Sequence, residues 1–257
     1  MDVLLSTDSI AIDINVYKIS NLDKQPDLSR FVLFAGGRKI GSVGNFVVIT
    51  GKPKARKSAF AQAILSAAIT ESEVMGIGVR MPSNNKIILV DTEQDTNDIA
   101  SNLYRLKKQT GLKTFKGIDN FSVYSVSELE PKKIISFINQ LFIQQGGIGL
   151  MVIDGLLDLI NDMNDVRESR ELLHQIKYWT TNNNCLIVTI IHQSKSTGYS
   201  IGHLGSFADR KAQAVLSVDK DKDDNISIMS PQYMRSDKNF EPISITFNPI
   251  IETYEKI

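Results

Sequence analysis

Residues 46–58 have the sequence FVVITGKPKARKS, and this stretch decides the fold. Its first five residues form a largely apolar run, which is typical of a buried strand in a parallel sheet. Gly51 can open a tight turn, because glycine adopts backbone conformations that other residues avoid. The residues that follow place Phe60, Ile64 and Ala68 on one face of a helix. The stretch therefore predicts a buried strand, a turn and a helix.

A strand, a glycine, a basic loop, a Lys-Ser pair and a helix together form the arrangement that binds phosphates. Loop amides and the positive helix end point at the anion, Lys57 reaches its outer oxygens, and the Ser58 hydroxyl can hold Mg²⁺. The residues predicted to bind the nucleotide are Gly51, Lys52, Pro53, Lys54, Ala55, Arg56, Lys57 and Ser58.

The loop departs from the pattern G-x-x-x-x-G-K-[ST] at one position, where Arg56 replaces the second glycine. Pro53 also removes one amide donor. A loop with this arginine must follow a somewhat different path or direct the side chain away from the phosphates. Four cations within six residues nevertheless suit a polyphosphate. The alternative is a solvated basic turn before an ordinary helix.

The overall composition is that of an ordinary soluble α/β protein. The chain has 257 residues, of which 42 % are hydrophobic and 23 % are charged. Lys plus Arg and Asp plus Glu both number 29, so the neutral balance gives no support to non-specific wrapping of DNA by a monomer. It still permits local basic loops. The single cysteine, Cys185, lies in an apolar run and predicts a buried thiol in a reducing, cytoplasmic compartment.

The chain order predicts an α/β fold with a mostly parallel, twisted sheet flanked by helices. Apolar strands alternate with amphipathic helices, and the last segments predict an antiparallel β extension. We expect an N-terminal arm and linker over residues 1–30, which packs on the core or on a neighbour, and one domain over residues 31–257. No segment has the length of a membrane span, and the N-terminus lacks the basic start of a secretory signal. The strands are predicted at residues 31–34, 46–50, 86–91, 121–126, 149–154, 185–191, 213–218, 226–230 and 243–247.

Every candidate functional group falls at the carboxyl end of a predicted parallel strand, where open α/β sheets bind ligands. After the phosphate loop come Asp91-Thr92-Glu93, Val152-Ile153-Asp154 and His192-Gln193-Ser194-Lys195. In its order and strand placement, this series resembles the RecA-like P-loop ATPase superfamily, over roughly residues 30–250. It is most similar to the hexameric replicative helicase branch, the plasmid RepA and DnaB-type proteins.

The resemblance implies ATP and Mg²⁺ as cofactors and gives each group a role. Asp154 matches the Walker B acid that holds the water shell of Mg²⁺, although an acid can also simply end a strand. Glu93 matches the catalytic carboxylate that activates the attacking water, with Asp91 and Asp95 as close rivals. Gln193 resembles the sensor amide for the γ-phosphate. His192 is either a second sensor or a structural histidine at a strand end.

The resemblance also implies partners. A loop that begins at Ser194 and ends at Asp209 matches the mobile DNA-binding loop of the family, although it can equally be an ordinary connection. Arg235 resembles the arginine finger that one subunit lends to the next, and Arg210 is its rival. A homo-oligomer, with a hexamer favoured, follows from this branch of the superfamily.

The resulting hypothesis is a Mg²⁺-dependent ATPase that acts on single-stranded DNA during replication or mobilisation of a mobile element. One alternative is a nucleotide-binding regulator or scaffold that hydrolyses little or nothing, which Arg56 and the neutral net charge favour. Another alternative is a recombinase or recombination mediator of the same superfamily.

Overall fold

The computed structural model describes residues 13–83, 85–194, 198–222 and 225–257, and a nine-stranded sheet runs through them. The strands are β1 (Phe31–Ala35), β2 (Arg38–Ser42), β3 (Asn45–Gly51), β4 (Ile77–Val79), β5 (Lys86–Asp91), β6 (Phe121–Ser125), β7 (Ile148–Asp154), β8 (Leu186–His192), β9 (Ala214–Lys220), β10 (Ile226–Met234), β11 (Ile243–Asn248) and β12 (Thr253–Lys256). The α-helices are α1 (Lys57–Thr70), α2 (Thr96–Thr110), α3 (Pro131–Gln145), α4 (Val166–Asn182) and α5 (Gly202–Lys211).

The strand order of the main sheet is β12-β11-β10-β9-β3-β8-β7-β5-β6. Six neighbouring strands, from β9 to β6, run parallel. The last three strands, β10, β11 and β12, extend the sheet beyond β9, and each runs antiparallel to its neighbour. The predicted fold class is therefore confirmed. One detail differs from the prediction of an antiparallel C-terminal extension. The first of the C-terminal strands, β9, runs parallel to β3 and belongs to the parallel part of the sheet.

Alternate residues of β3 face two separate core layers. Val47 and Ile49 pack against α1 and α2, whereas Phe46 and Val48 pack against the layer that contains α3, α4 and α5. A strand covered on both faces explains the continuous apolar run in the sequence. The phosphate loop therefore starts from a strand that is buried on both faces.

The structure contains a second sheet of three strands, in the order β2-β1-β4. Of these strands, the sequence predicts only β1. No strand is predicted from the sequence at the positions of β2 and β4, because these strands are short and rich in glycine or charge. The small sheet covers α1, so this helix is buried on almost every side instead of only along the predicted apolar face.

The loop prediction for residues 194–209 was too long, because α5 begins at Gly202. Leu204 and Ala208 are buried in the same cluster as α4, and this packing outweighs the glycine content of the segment. The loop between β8 and α5 is therefore confined to residues 193–201. Lys195, which lies in the loop predicted to bind DNA, is outside the described residues.

The N-terminal segment 13–30 is exposed throughout. Its apolar side chains Ile14, Tyr17 and Leu22 have exposed fractions of 77 %, 75 % and 85 %. Packing of this arm on a neighbouring subunit stays a prediction. Among the described residues, none of the helices combines the length and apolar character needed to cross a membrane.

Candidate active site

The phosphate loop leaves β3 at Gly51 and enters α1 at Lys57. A Cβ atom at Gly51 would lie 2.3 Å from the carbonyl oxygen of Val218, so the neighbouring strand leaves no room for a side chain. Lys54 and Arg56 adopt left-handed backbone angles, with φ of 63° and 68°. Lys52, Pro53 and Lys54 are exposed, whereas Ala55 is buried and anchors the loop. The loop curves around the amino end of α1, where helix amides favour anions.

Lys57 is buried, with 6 % of its surface exposed, and its Nζ atom donates to the carbonyl oxygens of Gly51 at 3.2 Å and Lys52 at 3.1 Å. Burial lowers the pKa of Lys57, while the carboxylates of Glu93 and Asp154 act in the opposite direction. The loop carbonyls thus hold the ammonium group at the position where it can meet an incoming phosphate.

Ser58 and Asp154 lie side by side, as the prediction of a shared Mg²⁺ site requires. The Ser58 hydroxyl donates to Oδ2 of Asp154 at 2.8 Å. The pKa of Asp154 is raised to about 7, chiefly by burial, although the hydrogen bond from Ser58 acts in the opposite direction. A carboxylate and a hydroxyl are hard oxygen donors, and Mg²⁺ commonly uses one or two such protein groups together with phosphate oxygens and water. These two residues therefore fit a magnesium ion.

Glu93 follows β5 and faces the same edge of the sheet. Its Oε1 atom lies 3.5 Å from Nε2 of His192, and this contact lowers the pKa of Glu93 while burial raises it. The two rival acids have other roles. Asp91 accepts hydrogen bonds from the backbone amides of Glu93 and Gln94, at 3.1 and 2.8 Å. Asp95 caps α2 by accepting from two amides of its first turn.

His192 is the group for which the sequence left two interpretations open. Its Nδ1 atom lies 3.1 Å from Lys57 Nζ, while its other ring nitrogen faces Glu93. Because the lysine is a donor, Nδ1 accepts this hydrogen bond and Nε2 carries the proton toward Glu93. His192 thus links Lys57, the lysine predicted to bind phosphate, to the candidate catalytic carboxylate of Glu93. The position of a histidine at the end of a strand was the signal in the sequence.

Gln193 is buried at the start of the loop after β8, and its backbone N–H donates to the carbonyl oxygen of Gly51 at 3.0 Å. Further along, the Ser200 hydroxyl lies 3.0 Å from Thr50 Oγ1 and donates to Oδ1 of Asp209 at 2.7 Å. This buried network joins α5 to the strand residue directly before the phosphate loop. No pattern in the sequence predicts this network.

Arg235 does not lie at the phosphate loop of its own chain. Its Nη2 atom donates to the carbonyl oxygen of Arg210 at 2.7 Å, and its backbone N–H donates to the carbonyl oxygen of Gln213, the residue directly before β9. The phosphate loop is next to the opposite end of β9, where Gly51 pairs with Val218. Arg210 and Arg235 instead line a cavity of about 630 Å³ together with Tyr199, Asp209 and Tyr233.

A family model described as AAA domain matches residues 41–198, which is more than half of the chain. The matched segment contains the phosphate loop, Glu93, Asp154 and Gln193. No curated protein matches the chain at a significant level. The family supports a nucleotide-binding P-loop ATPase in general terms, and it leaves the helicase branch open.

Proposed function

The chain belongs to the AAA domain family, and from its site we propose a Mg²⁺-dependent ATPase coupled to action on single-stranded DNA. The observation that carries the proposal is the convergence of Lys57, Ser58, Asp154 and Glu93 at one edge of the parallel sheet. The residues come from three separate strand ends, which is how P-loop enzymes assemble phosphate chemistry.

Each group has a definite task in hydrolysis. Lys57 would neutralise charge on the outer phosphates, and Ser58 and Asp154 would hold a magnesium ion. When bound, the ion would supply Lewis-acid stabilisation of charge on the phosphate oxygens. Glu93, whose pKa is held below its usual range by the contact with His192, is the carboxylate placed to accept a proton from the attacking water. His192 holds Glu93 and Lys57 in a fixed relationship before the reaction.

Support for a nucleic-acid partner comes from the surface of α4 and α5. A cavity of about 420 Å³ there is lined by Arg170, His174, Phe207, Arg210 and Lys211. The guanidinium carbons of Arg170 and Arg210 lie 5.5 and 4.9 Å from the centre of the Phe207 ring. Cations beside an aromatic ring suit the phosphates and bases of a single strand. This basic surface belongs to a chain of zero net charge.

The link from this surface to the nucleotide is the hydrogen-bonded network of Asp209, Ser200 and Thr50. A DNA strand that binds this surface and moves α5 would shift Thr50, and with it the start of the phosphate loop. We infer that DNA occupancy changes the turnover of ATP through this route.

Assembly into a homo-oligomer, a hexamer in the helicase branch, is part of the proposal. Arg235 lies far along the sheet from its own phosphate loop, which suits an arginine that serves the neighbouring subunit, and Arg210 remains its rival. The setting would be cytoplasmic replication or mobilisation of a mobile element.

The rival proposal is a nucleotide-binding scaffold with little or no turnover, which the unusual Arg56 favours. The decisive experiment measures ATP hydrolysis with and without Mg²⁺ and single-stranded DNA. We expect Mg²⁺-dependent turnover that DNA stimulates and that Lys57→Ala abolishes. Lys133→Ala, which changes an exposed lysine on α3, is the matched control.

Nucleotide binding without ATP turnover would support the scaffold. ATP turnover that does not depend on DNA would remove the helicase part of the proposal. Filaments instead of rings would favour the recombinase.

A further inference from the structure

The Arg56 side chain is directed toward the antiparallel strands, although its position in the loop predicts a contact with phosphates. Its Nη1 atom donates to the carbonyl oxygen of Asn225 at 2.7 Å and lies 3.4 Å from the Ser227 hydroxyl. The guanidinium carbon also lies 5.9 Å from the centre of the Tyr254 ring. The side chain therefore joins the phosphate loop to the antiparallel strands at the end of the chain.

The Arg56 side chain forms one wall of a cavity of about 600 Å³ beside the loop. Arg105, Thr246, Phe247 and Tyr254 contribute to the other walls, and no carboxylate is among the described residues that line it. Two guanidinium groups favour an anionic or electron-rich ligand, and two aromatic rings offer flat apolar faces. The volume falls within the range of about 300–1,000 Å³ that is common for small-molecule sites.

The aromatic wall is held in place by the sheet. Phe247 and Tyr254 are paired residues of β11 and β12, and their rings meet edge to face with centres 5.4 Å apart. The turn between these strands is attached to α2, because Tyr104 donates to Glu252 at 2.7 Å and Lys108 pairs with the same carboxylate at 2.9 Å. The cavity is thus built from elements that contact one another.

We propose that this cavity binds the nucleobase and ribose of the nucleotide, and that Arg56 determines specificity by contacting the nucleoside instead of the phosphates. The inference rests on the proposed nucleotide-binding function, since the phosphates at Lys57 place the rest of the ligand beside Arg56. Tyr254 offers its ring for stacking, and the guanidiniums of Arg56 and Arg105 donate to acceptor atoms of the base or add a cation–π contact.

The first test compares ligands that share phosphates but differ in the nucleoside. Dissociation constants are measured with Mg²⁺ for ATP, GTP, CTP, UTP and inorganic tripolyphosphate. We expect the wild type to prefer one base and to bind tripolyphosphate more weakly than its best nucleotide. Arg56→Gly should weaken that nucleotide by about tenfold and reduce the preference among bases, but it should not weaken tripolyphosphate, because it restores the second glycine of the phosphate-loop pattern.

Arg56→Gly is a clean variant, because glycine suits the left-handed backbone at this position and should not unfold the loop. Arg80→Gly is the matched control, since Arg80 also lies over an aromatic ring, that of Phe34, but away from the cavity. Tyr254→Ala should weaken the nucleotide by about ten- to a hundredfold without affecting tripolyphosphate. Equal losses for nucleotide and tripolyphosphate, or no loss in either variant, would overturn the proposal.

Photolabelling of the wild-type protein gives an answer that does not depend on variants. With 8-azido-ATP, we expect cross-links in peptides that contain Arg105 or residues 246–254, and labelling confined to other peptides would contradict the proposal.

The proposed nucleotide-binding function and the proposed nucleoside site would be contradicted by different results. A wild type that binds neither nucleotides nor tripolyphosphate would remove the proposed function itself. A wild type that binds ATP and tripolyphosphate equally well would remove only the nucleoside site.

Discussion

The hydroxyl of Ser58 lies 2.8 Å from Oδ2 of Asp154, although 96 positions separate these residues in the chain. Ser58 is in the first turn of α1, and Asp154 is the last residue of β7. The two meet because β3 and β7 both neighbour β8 and run parallel, so their carboxyl ends reach the same edge. This contact brings together the two oxygen donors that the proposed mechanism assigns to Mg²⁺.

Asp154→Asn should lower Mg²⁺-dependent hydrolysis by about a hundredfold or more, because the amide removes the charge that attracts the ion while keeping the shape of the side chain. Binding of nucleotide without Mg²⁺ should remain. The measurement is ATP turnover as a function of Mg²⁺ concentration. Asp119→Asn, a change outside the site, serves as the control. An unchanged Mg²⁺ dependence would show that Asp154 does not hold the ion.

Glu93→Gln should retain nucleotide binding and lose turnover by about a hundred- to ten-thousandfold, since the amide cannot accept the proton of the attacking water. Single-turnover hydrolysis and a nucleotide dissociation constant check the two parts separately. Asp95→Ala tests the rival acid. This change should lower the free energy of unfolding by about 0.5–2 kcal/mol through loss of the α2 cap and leave the chemical step intact. The opposite pattern would assign the catalytic role to Asp95.

The parallel part of the sheet could be predicted from the sequence, because strands buried on both faces leave long apolar runs such as residues 46–50 and 149–153. The same logic placed Glu93 and Asp154 at a common edge. Cys185 was also predicted to be buried, and it is. These features depend on local pattern and on the general rule for parallel strands.

Other features depend on contacts between distant residues, which the local pattern does not record. The direction of Arg56 is set by Asn225, and the bridge of His192 between Lys57 and Glu93 exists only after three strand ends meet. The helix α5 escaped prediction because its glycines weaken the local signal, while its burial against α4 supplies the stability.

Stability should depend on pH through Asp209. Burial raises the pKa of this carboxyl, and the hydrogen bonds from Ser200 lower it, with a net raised value. The folded protein therefore favours the protonated form, and the stability contributed by this group is complete below the ordinary pKa of an unfolded carboxyl. It is lost as the pH rises through the folded pKa. Ionisation at higher pH leaves a buried charge that opposes folding.

Asp209→Asn removes this titration but keeps an oxygen that can accept from Ser200. The free energy of unfolding of the variant, relative to the wild type, should therefore rise as the pH increases from about 4 to 8. Urea unfolding at several pH values measures the difference. Asp219→Asn, an exposed carboxylate on β9, is the matched control. A difference that is constant, or that falls with pH, would contradict the assignment.

Gly155→Ala should reduce turnover with little effect on stability, because a Cβ atom there would lie 2.3 Å from Oε1 of Glu93. The flexible Glu93 side chain can move aside, which relieves the clash but takes the carboxylate from its place beside His192. Gly51→Ala is the contrasting variant. Its Cβ would lie 2.3 Å from the Val218 carbonyl oxygen, a backbone atom, so the free energy of unfolding should fall by about 1–3 kcal/mol. Thermal unfolding and ATP turnover of both variants check this separation. Wild-type turnover in Gly155→Ala would show that the position of Glu93 does not control the reaction.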